Sequence, residues 1–320
     1  MVHLGALAAL GGESGLGVTL FVEGEEEVGS PTFKDFLAAY ADRLAADVIV
    51  VADSNNWKVG VPSLTTSLRG VVTAEFTVRT LDHALHSGMY GGPVLDAVTC
   101  AARLVATLHD ADGAVAVRGL ASYDDATAEY AEEDLRADTG LLDGVRLTGR
   151  GSITSRLWTQ PSLTVIGMDV TSTAEASNTL IPACTVRLSL RVAPGQDPGE
   201  AAQALVRHLE ENAPFGARVE ASVEETGPAF KAAGDSPAAS AGRWALARAW
   251  GRPPVDIGVG GSIPFIADLH DAFPEADILV TGVEDPDTRA HSQNESLHLG
   301  DWRNAILAEA LLLSRLAGQA

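Results

Sequence analysis

The chain has 320 residues, with 22 lysines and arginines against 43 aspartates and glutamates, which gives a formal net charge of −21. Its composition, 46 % hydrophobic and 20 % charged, is typical of a globular protein of about two domains and excludes a disordered or fibrous chain. The acidic balance argues against nucleic-acid binding, no apolar run reaches the ~20 residues of a membrane span, and 2 cysteines favour a reducing cytoplasm over a disulfide scaffold.

Three continuous apolar runs are typical of strands buried on both faces: residues 18–22, 48–52 and 278–280. Amphipathic stretches beside them predict three helices: residues 32–45, 236–250 and 300–316. This combination of buried strands and helices indicates an α/β domain with a mostly parallel sheet.

The middle of the chain follows a different pattern. Apolar and polar residues alternate strictly at 72–79, 184–191 and 218–224, which predicts antiparallel strands with one solvated face. Helical stretches at 92–108 and 198–211 are placed to cover the other face. We therefore predict an α+β insert at 69–233 within an α/β domain formed by residues 1–68 and 234–320.

Residue types that bind metals follow each of the buried strands. The acidic run 23–27 follows the first, Asp53 the second, and the loop with His291 the third. Ligands collect beyond the carboxyl ends of strands in open α/β sheets, and carboxylate with imidazole suits a cation such as Zn²⁺. Each feature also has an ordinary interpretation: a solvated turn, a helix cap or an exposed histidine.

Seven short motifs occur in this order: EGEEEVGS, VVADSNNW, ALHSGMYGG, NTLIPA, LRVAPGQ, GGSIP and AHSQNE. Together they resemble the di-zinc metallopeptidases of the carnosinase-type dipeptidase group. Its superfamily also contains carboxypeptidase G, acetylornithine deacetylase and succinyl-diaminopimelate desuccinylase. The GMYGG sequence and the large insert favour the dipeptidase branch. The resemblance implies hydrolysis of dipeptides or related amides that carry a free carboxylate.

The resemblance also implies roles at the metal centre. Glu26 matches the general base, Glu27 and His291 match ligands of one zinc, and Asp53 matches a ligand of the second. The complete family enzyme holds two zinc ions per subunit, with manganese or cobalt as alternatives.

For the insert, the resemblance implies a lid that also forms a homodimer. His86 would reach the partner subunit's active site, and Arg191 would bind the carboxylate of a small peptide substrate. Two further places would line the cleft: Asn178 or Thr179, and Gly261 with Ser262.

The sequence departs from the family pattern at its start. Members carry a His-x-Asp motif before the glutamate pair and an Asp-Asp-Lys-Gly stretch, and neither motif occurs here. We therefore expect this chain to be the later part of a longer enzyme whose catalytic domain is incomplete at its N-terminus. The alternative is an inactive chain that only dimerises or binds a single metal ion.

Overall fold

The computed structural model describes residues 1–11, 15–232, 234–261 and 263–318. Within them the strands are β1 (Val48–Ala52), β2 (Ser63–Leu68), β3 (Gly70–Arg79), β4 (Leu85–His86), β5 (Ser162–Met168), β6 (Thr179–Leu180), β7 (Ala183–Val192), β8 (Arg218–Gly227), β9 (Phe230–Lys231), β10 (Val255–Val259) and β11 (Asp277–Thr281). The α-helices are α1 (Val2–Leu10), α2 (Phe33–Leu44), α3 (Ser87–Tyr90), α4 (Ala97–Ala106), α5 (Glu132–Thr139), α6 (Ile153–Trp158), α7 (Pro198–Glu211), α8 (Pro237–Trp250), α9 (Pro264–Ala272) and α10 (Leu299–Leu316). Two 3₁₀ turns occupy Glu26–Val28 and Pro214–Gly216.

The first sheet has the strand order β1-β11-β2-β10, with β9 paired to β2. The β1–β11 and β2–β10 pairs are parallel, and the β11–β2 and β2–β9 pairs are short and antiparallel. Helices cover both faces: α2 and α9 enclose Val51 and Val280 on one side, while α8 and α10 enclose Leu64 and Leu279 on the other. The predicted α/β architecture with a mostly parallel sheet is confirmed.

The second sheet is antiparallel, with the order β5-β7-β3-β8. Alternate residues of β3 and β7 point into one core, where Phe76 and Leu188 are fully buried. Helices α4 and α7 cover that face with residues such as Leu104 and Leu205. The α+β character of the insert, and the side its helices cover, are as predicted.

Two predicted elements are corrected. Residues 18–22 form none of the strands described here, because a strand buried on both faces needs neighbours that this segment lacks. Val22 is 79 % exposed, and Phe21 instead stacks on Phe36 with ring centroids 5.2 Å apart. The helix predicted at 92–108 begins only at Ala97, where the Asp96 side chain caps it by accepting from the Thr99 amide.

Both cysteines, Cys100 and Cys184, are free and buried in the core of the second sheet. Over the described ranges of the chain, no helix combines the length and apolar character that crossing a membrane demands.

Replacing Leu205 with alanine tests the core of the second sheet. The side chain is fully buried between α7 and the strands, so Leu205→Ala should lower the free energy of unfolding by about 2–5 kcal/mol. Urea denaturation followed by circular dichroism measures the change. Leu142→Ala is the matched control, because Leu142 is 74 % exposed and should change little. Equal stabilities for the two variants would contradict the packing described.

Candidate active site

The loops after β1 and β11 run side by side. Pairing of the two strands is in register to the end, and it continues beyond them as a bridge between Asn55 and Glu284. The Asn56 amide donates to the Glu284 carbonyl oxygen at 2.7 Å. Gly282 lies so close to the other loop that a β-carbon there would be 1.3 Å from the Ser54 carbonyl oxygen. Consequently Asp53, which precedes Ser54, is fixed relative to the loop after β11.

Within the acidic run, the carboxylates of Glu23 and Glu25 accept hydrogen bonds, whereas those of Glu26 and Glu27 accept none from the described residues. The backbone amide of Glu25 donates to the Glu23 carboxylate at 2.9 Å, and the Thr32 hydroxyl donates to the Glu25 carboxylate. A 3₁₀ turn then presents Glu26 and Glu27, whose side chains form no hydrogen bond to any residue described in the structure. The two glutamates predicted to carry the chemistry are therefore the ones that the fold leaves available.

Glu27 and His291 lie together, as the shared-ligand prediction requires. The Oε2 atom of Glu27 is 3.5 Å from Nδ1 of His291, and both side chains are about three-quarters exposed, at 75 % and 74 %. These residues come from opposite ends of the chain, so their proximity depends on the fold.

His291 has a left-handed backbone conformation, with φ 61°. Arg289 and Asn294 in the same loop also have positive φ values, of 58° and 61°. A left-handed conformation costs free energy for any residue other than glycine, so it persists where surrounding contacts impose it. Thr288 supplies those contacts: it is 4 % exposed, its amide donates to Asp285, and its carbonyl oxygen accepts from the Ser296 amide.

Crowding of negative charge perturbs the carboxyl groups. Burial raises the pKa of Glu26, and the charges of Asp53, Glu27 and Glu23 raise it further, whereas His291 lowers it. Burial likewise raises the pKa of Asp53, together with the charge of Glu27. The groups predicted for metal binding therefore share one electrostatic environment, which a bound cation would stabilise.

The donor set fits a metal ion only in part. Carboxylate and imidazole are suitable donors for zinc, and a catalytic zinc site commonly has three protein ligands. Within the described part of the chain, no group of three or more histidine, cysteine, aspartate or glutamate side chains is arranged to hold a metal ion. Glu27 and His291 thus offer two suitable donor groups and do not by themselves make a complete metal site.

A second predicted group gathers around β4 and β6. His86 is the register partner of Thr179, and the Ser87 amide donates to the Asn178 carbonyl oxygen at 2.9 Å. The Nδ1 atom of His86 accepts from the Gly88 amide at 3.2 Å. No hydrogen bond or ion pair of the described residues joins this group to Glu26.

The remaining predicted residues lie near the junction of the two large sheets. Arg191 is half-buried on β7. Gly261 follows β10, and a β-carbon added there would meet nothing within 4 Å. Ser262 lies outside the described residues.

Two residues near these groups were missed by the sequence reasoning. Burial, then the charges of Asp53 and Glu295, raises the pKa of Glu284, while His291 lowers it. Its position in the loop that follows β11 was the available signal. Arg69 is buried at 8 % exposure beside Arg191. Nothing in its sequence context distinguishes it from a solvated arginine.

Comparisons with known proteins identify peptidases as relatives of this chain. A family model described as a peptidase dimerisation domain matches residues 66–217. A cysteinylglycine-S-conjugate dipeptidase of Corynebacterium striatum is 32 % identical over 324 residues, which cover 98 % of this chain and 70 % of that protein. A Cys-Gly metallodipeptidase of Schizosaccharomyces pombe is 25 % identical over 302 residues, covering 89 % of this chain and 63 % of that protein.

Among solved structures, an M20 family metallo-carboxypeptidase from Sulfolobus solfataricus has the same fold, with a TM-score of 0.76 at 22 % identity, covering 98 % of this chain and 74 % of that one. The chain belongs to the M20 family of metallopeptidases, in its dipeptidase branch. It spans about two thirds of the length of the relatives it matches.

Replacing Gly282 tests the contact between the loops that follow β1 and β11. A β-carbon at this position would overlap the Ser54 carbonyl oxygen, so Gly282→Ala must displace one loop and should lower the free energy of unfolding by about 3 kcal/mol. Chemical denaturation measures the loss. Gly17→Ala is the control, since a β-carbon there meets nothing within 4 Å. A Gly282→Ala protein as stable as the control would refute the close contact.

Proposed function

We propose that the protein acts in the metal-dependent hydrolysis of dipeptides, or related amides, that carry a free carboxylate. The observation that carries this proposal is the 3.5 Å approach of Glu27 to His291, with Glu26 beside them on the same turn. The names of the relatives, a cysteinylglycine-S-conjugate dipeptidase and a Cys-Gly metallodipeptidase, support dipeptides as the substrate class.

In this proposal Glu26 accepts a proton from the attacking water and returns it to the leaving amine. Its raised pKa suits that task, because a carboxylate closer in pKa to the working pH exchanges protons more readily. Glu27 and His291 would hold one zinc ion, and Asp53 would be a ligand of a second. Zinc supplies Lewis-acid chemistry in such sites, polarising a carbonyl and making water more acidic.

The second sheet and its helices serve as the lid and dimerisation domain, residues 69–233, between the two parts of the catalytic domain, 1–68 and 234–320. Strand β5 lies at the edge of its sheet and exposes apolar residues, with Ile166 at 55 % exposure, which supports pairing with a second subunit. In this proposal His86, with Thr179 beside it, serves the partner subunit's site. Arg191 binds the substrate carboxylate, and the free cysteines support a cytoplasmic location.

A second function is a dimerising or single-metal-binding module without turnover. It is favoured by one observation: the described residues hold no complete three-ligand metal site. Equilibrium zinc titration discriminates between the two functions. The module predicts at most one weak site per chain and no hydrolysis of cysteinylglycine at saturating zinc.

The Glu26→Gln variant tests the proposed general base. Removing the ionisable carboxylate should lower kcat for cysteinylglycine by about 10²–10⁴-fold and leave zinc affinity unchanged, because Glu26 is not assigned as a ligand. Steady-state hydrolysis and zinc titration are measured on the same preparations. Glu25→Gln is the matched control, since the Glu25 carboxylate is bound by Thr32 and should be dispensable for turnover. Loss of zinc from Glu26→Gln would mean that the roles of Glu26 and Glu27 are exchanged.

A further inference from the structure

Arg69 lies at the junction between the two large sheets. It is the one residue between β2 of the first sheet and β3 of the second, at the first of two points where the chain crosses between them. The second crossing, from β8 to β9, packs against the first. A β-carbon on Gly70, the residue after Arg69, would be 2.9 Å from the Gly227 carbonyl oxygen. Arg69 is only 8 % exposed, so a guanidinium group is buried at this junction.

Arg69 donates hydrogen bonds to both of the sheets that meet at this junction. Its Nε atom donates to the Gly260 carbonyl oxygen at 3.2 Å, beyond β10 in the first sheet. Its Nη1 atom donates to the Ser162 hydroxyl at 3.1 Å and to the Gln160 carbonyl oxygen at 3.4 Å, where β5 of the second sheet begins. A planar guanidinium with separate nitrogens can join two elements in this way, whereas a single ammonium cannot hold the same geometry.

Among the residues that the structure describes, no acidic side chain forms an ion pair with Arg69, although buried charges are ordinarily paired. Its acceptors are the neutral oxygens of Gly260, Arg156, Gln160 and Ser162. Burial, and then the positive charge of Arg191, lowers the pKa of Arg69 to about 10, so it remains protonated at neutral pH. Its Nη2 atom donates to no described residue. That atom lies 2.8 Å from where a β-carbon on Gly260 would be, which explains the glycine.

Arg191 lies next to the elements that Arg69 holds. In the sheet, Arg191 of β7 is the register partner of Val71 in β3 and of Ser162 in β5. Ser162 is therefore both a hydrogen-bond acceptor for Arg69 and the neighbour of Arg191. Across the described ranges Arg191 also has no carboxylate partner, so two unneutralised guanidinium groups share one junction in a chain of net charge −21.

We propose that Arg69 is a positioning residue for recognition of the substrate carboxylate: it fixes the Gly260 loop and β5 around Arg191 and adds a buried positive charge behind it. The inference rests on the proposed function, in which Arg191 binds that carboxylate. The repulsion between the two arginines is relieved when an anionic group binds Arg191. Arg69 thereby favours dipeptides with a free carboxylate over neutral analogues.

The test compares cysteinylglycine with its C-terminal amide, by titration calorimetry and by steady-state kinetics where turnover occurs. In Arg69→Gln the preference for the free carboxylate should fall about tenfold, equivalent to ~1.4 kcal/mol, while binding of the amide changes little. Arg69→Lys keeps the positive charge but loses the planar guanidinium, so the preference for the free carboxylate should fall about threefold. The lysine variant also provides a result if the glutamine variant does not fold.

Two further variants separate the possible failures. Arg187→Gln, an exposed arginine on the same strand as Arg191, should leave the preference unchanged. Arg191→Ala should abolish it. If Arg69→Gln and Arg69→Lys weaken binding of both ligands equally, Arg69 is merely structural and the inference is overturned. If Arg191→Ala retains the preference, the carboxylate site of the proposed function fails instead.

Discussion

Parallel pairing of β1 with β11 is the constraint on which the candidate site depends. The five-residue register, continued by the Asn55–Glu284 bridge, brings loops from distant parts of the chain to one edge of the sheet. Gly282 allows the backbones to approach more closely than any side chain would permit. Once this contact is made, Asp53 and His291 lie in the same electrostatic environment as the glutamate pair. The grouping of Asp53 with the loop of His291 at this edge is therefore a consequence of strand pairing rather than of any local motif.

The second sheet contributes by holding other groups at a distance from the first. Its core is fully buried and its strands are long, which makes it a rigid support for Arg191. His86 and Thr179 lie on the separate two-stranded sheet of β4 and β6. The connection between the sheets is short and tightly packed at both crossings, with Arg69 bonded to each side. Orientation of the second sheet relative to the first thus depends on a few residues at this junction.

Much of the architecture follows from the sequence because periodicity reports burial. The alternation at 72–79 and the helical stretches at 198–211 and 236–250 predicted elements that the structure confirms. Residues 18–22 were predicted wrongly because apolar content alone does not supply strand neighbours. Arg69 was missed for a related reason: burial of an arginine depends on tertiary acceptors such as Gly260, which no local pattern reveals. The proximity of Glu27 to His291 was predicted from resemblance; β1–β11 pairing accounts for the loop that carries His291, whereas Glu27 lies on the 3₁₀ turn before α2.

The measurement that tests the central claim most directly is the zinc affinity of the wild-type protein, Glu27→Ala, His291→Ala and the double variant, by competition with a chelator of known affinity. If the two residues bind one ion, each single substitution should raise the dissociation constant at least about tenfold. The double variant should then lose less than the sum of the two single changes in free energy. Zinc affinity unaffected by either single substitution would contradict the shared site.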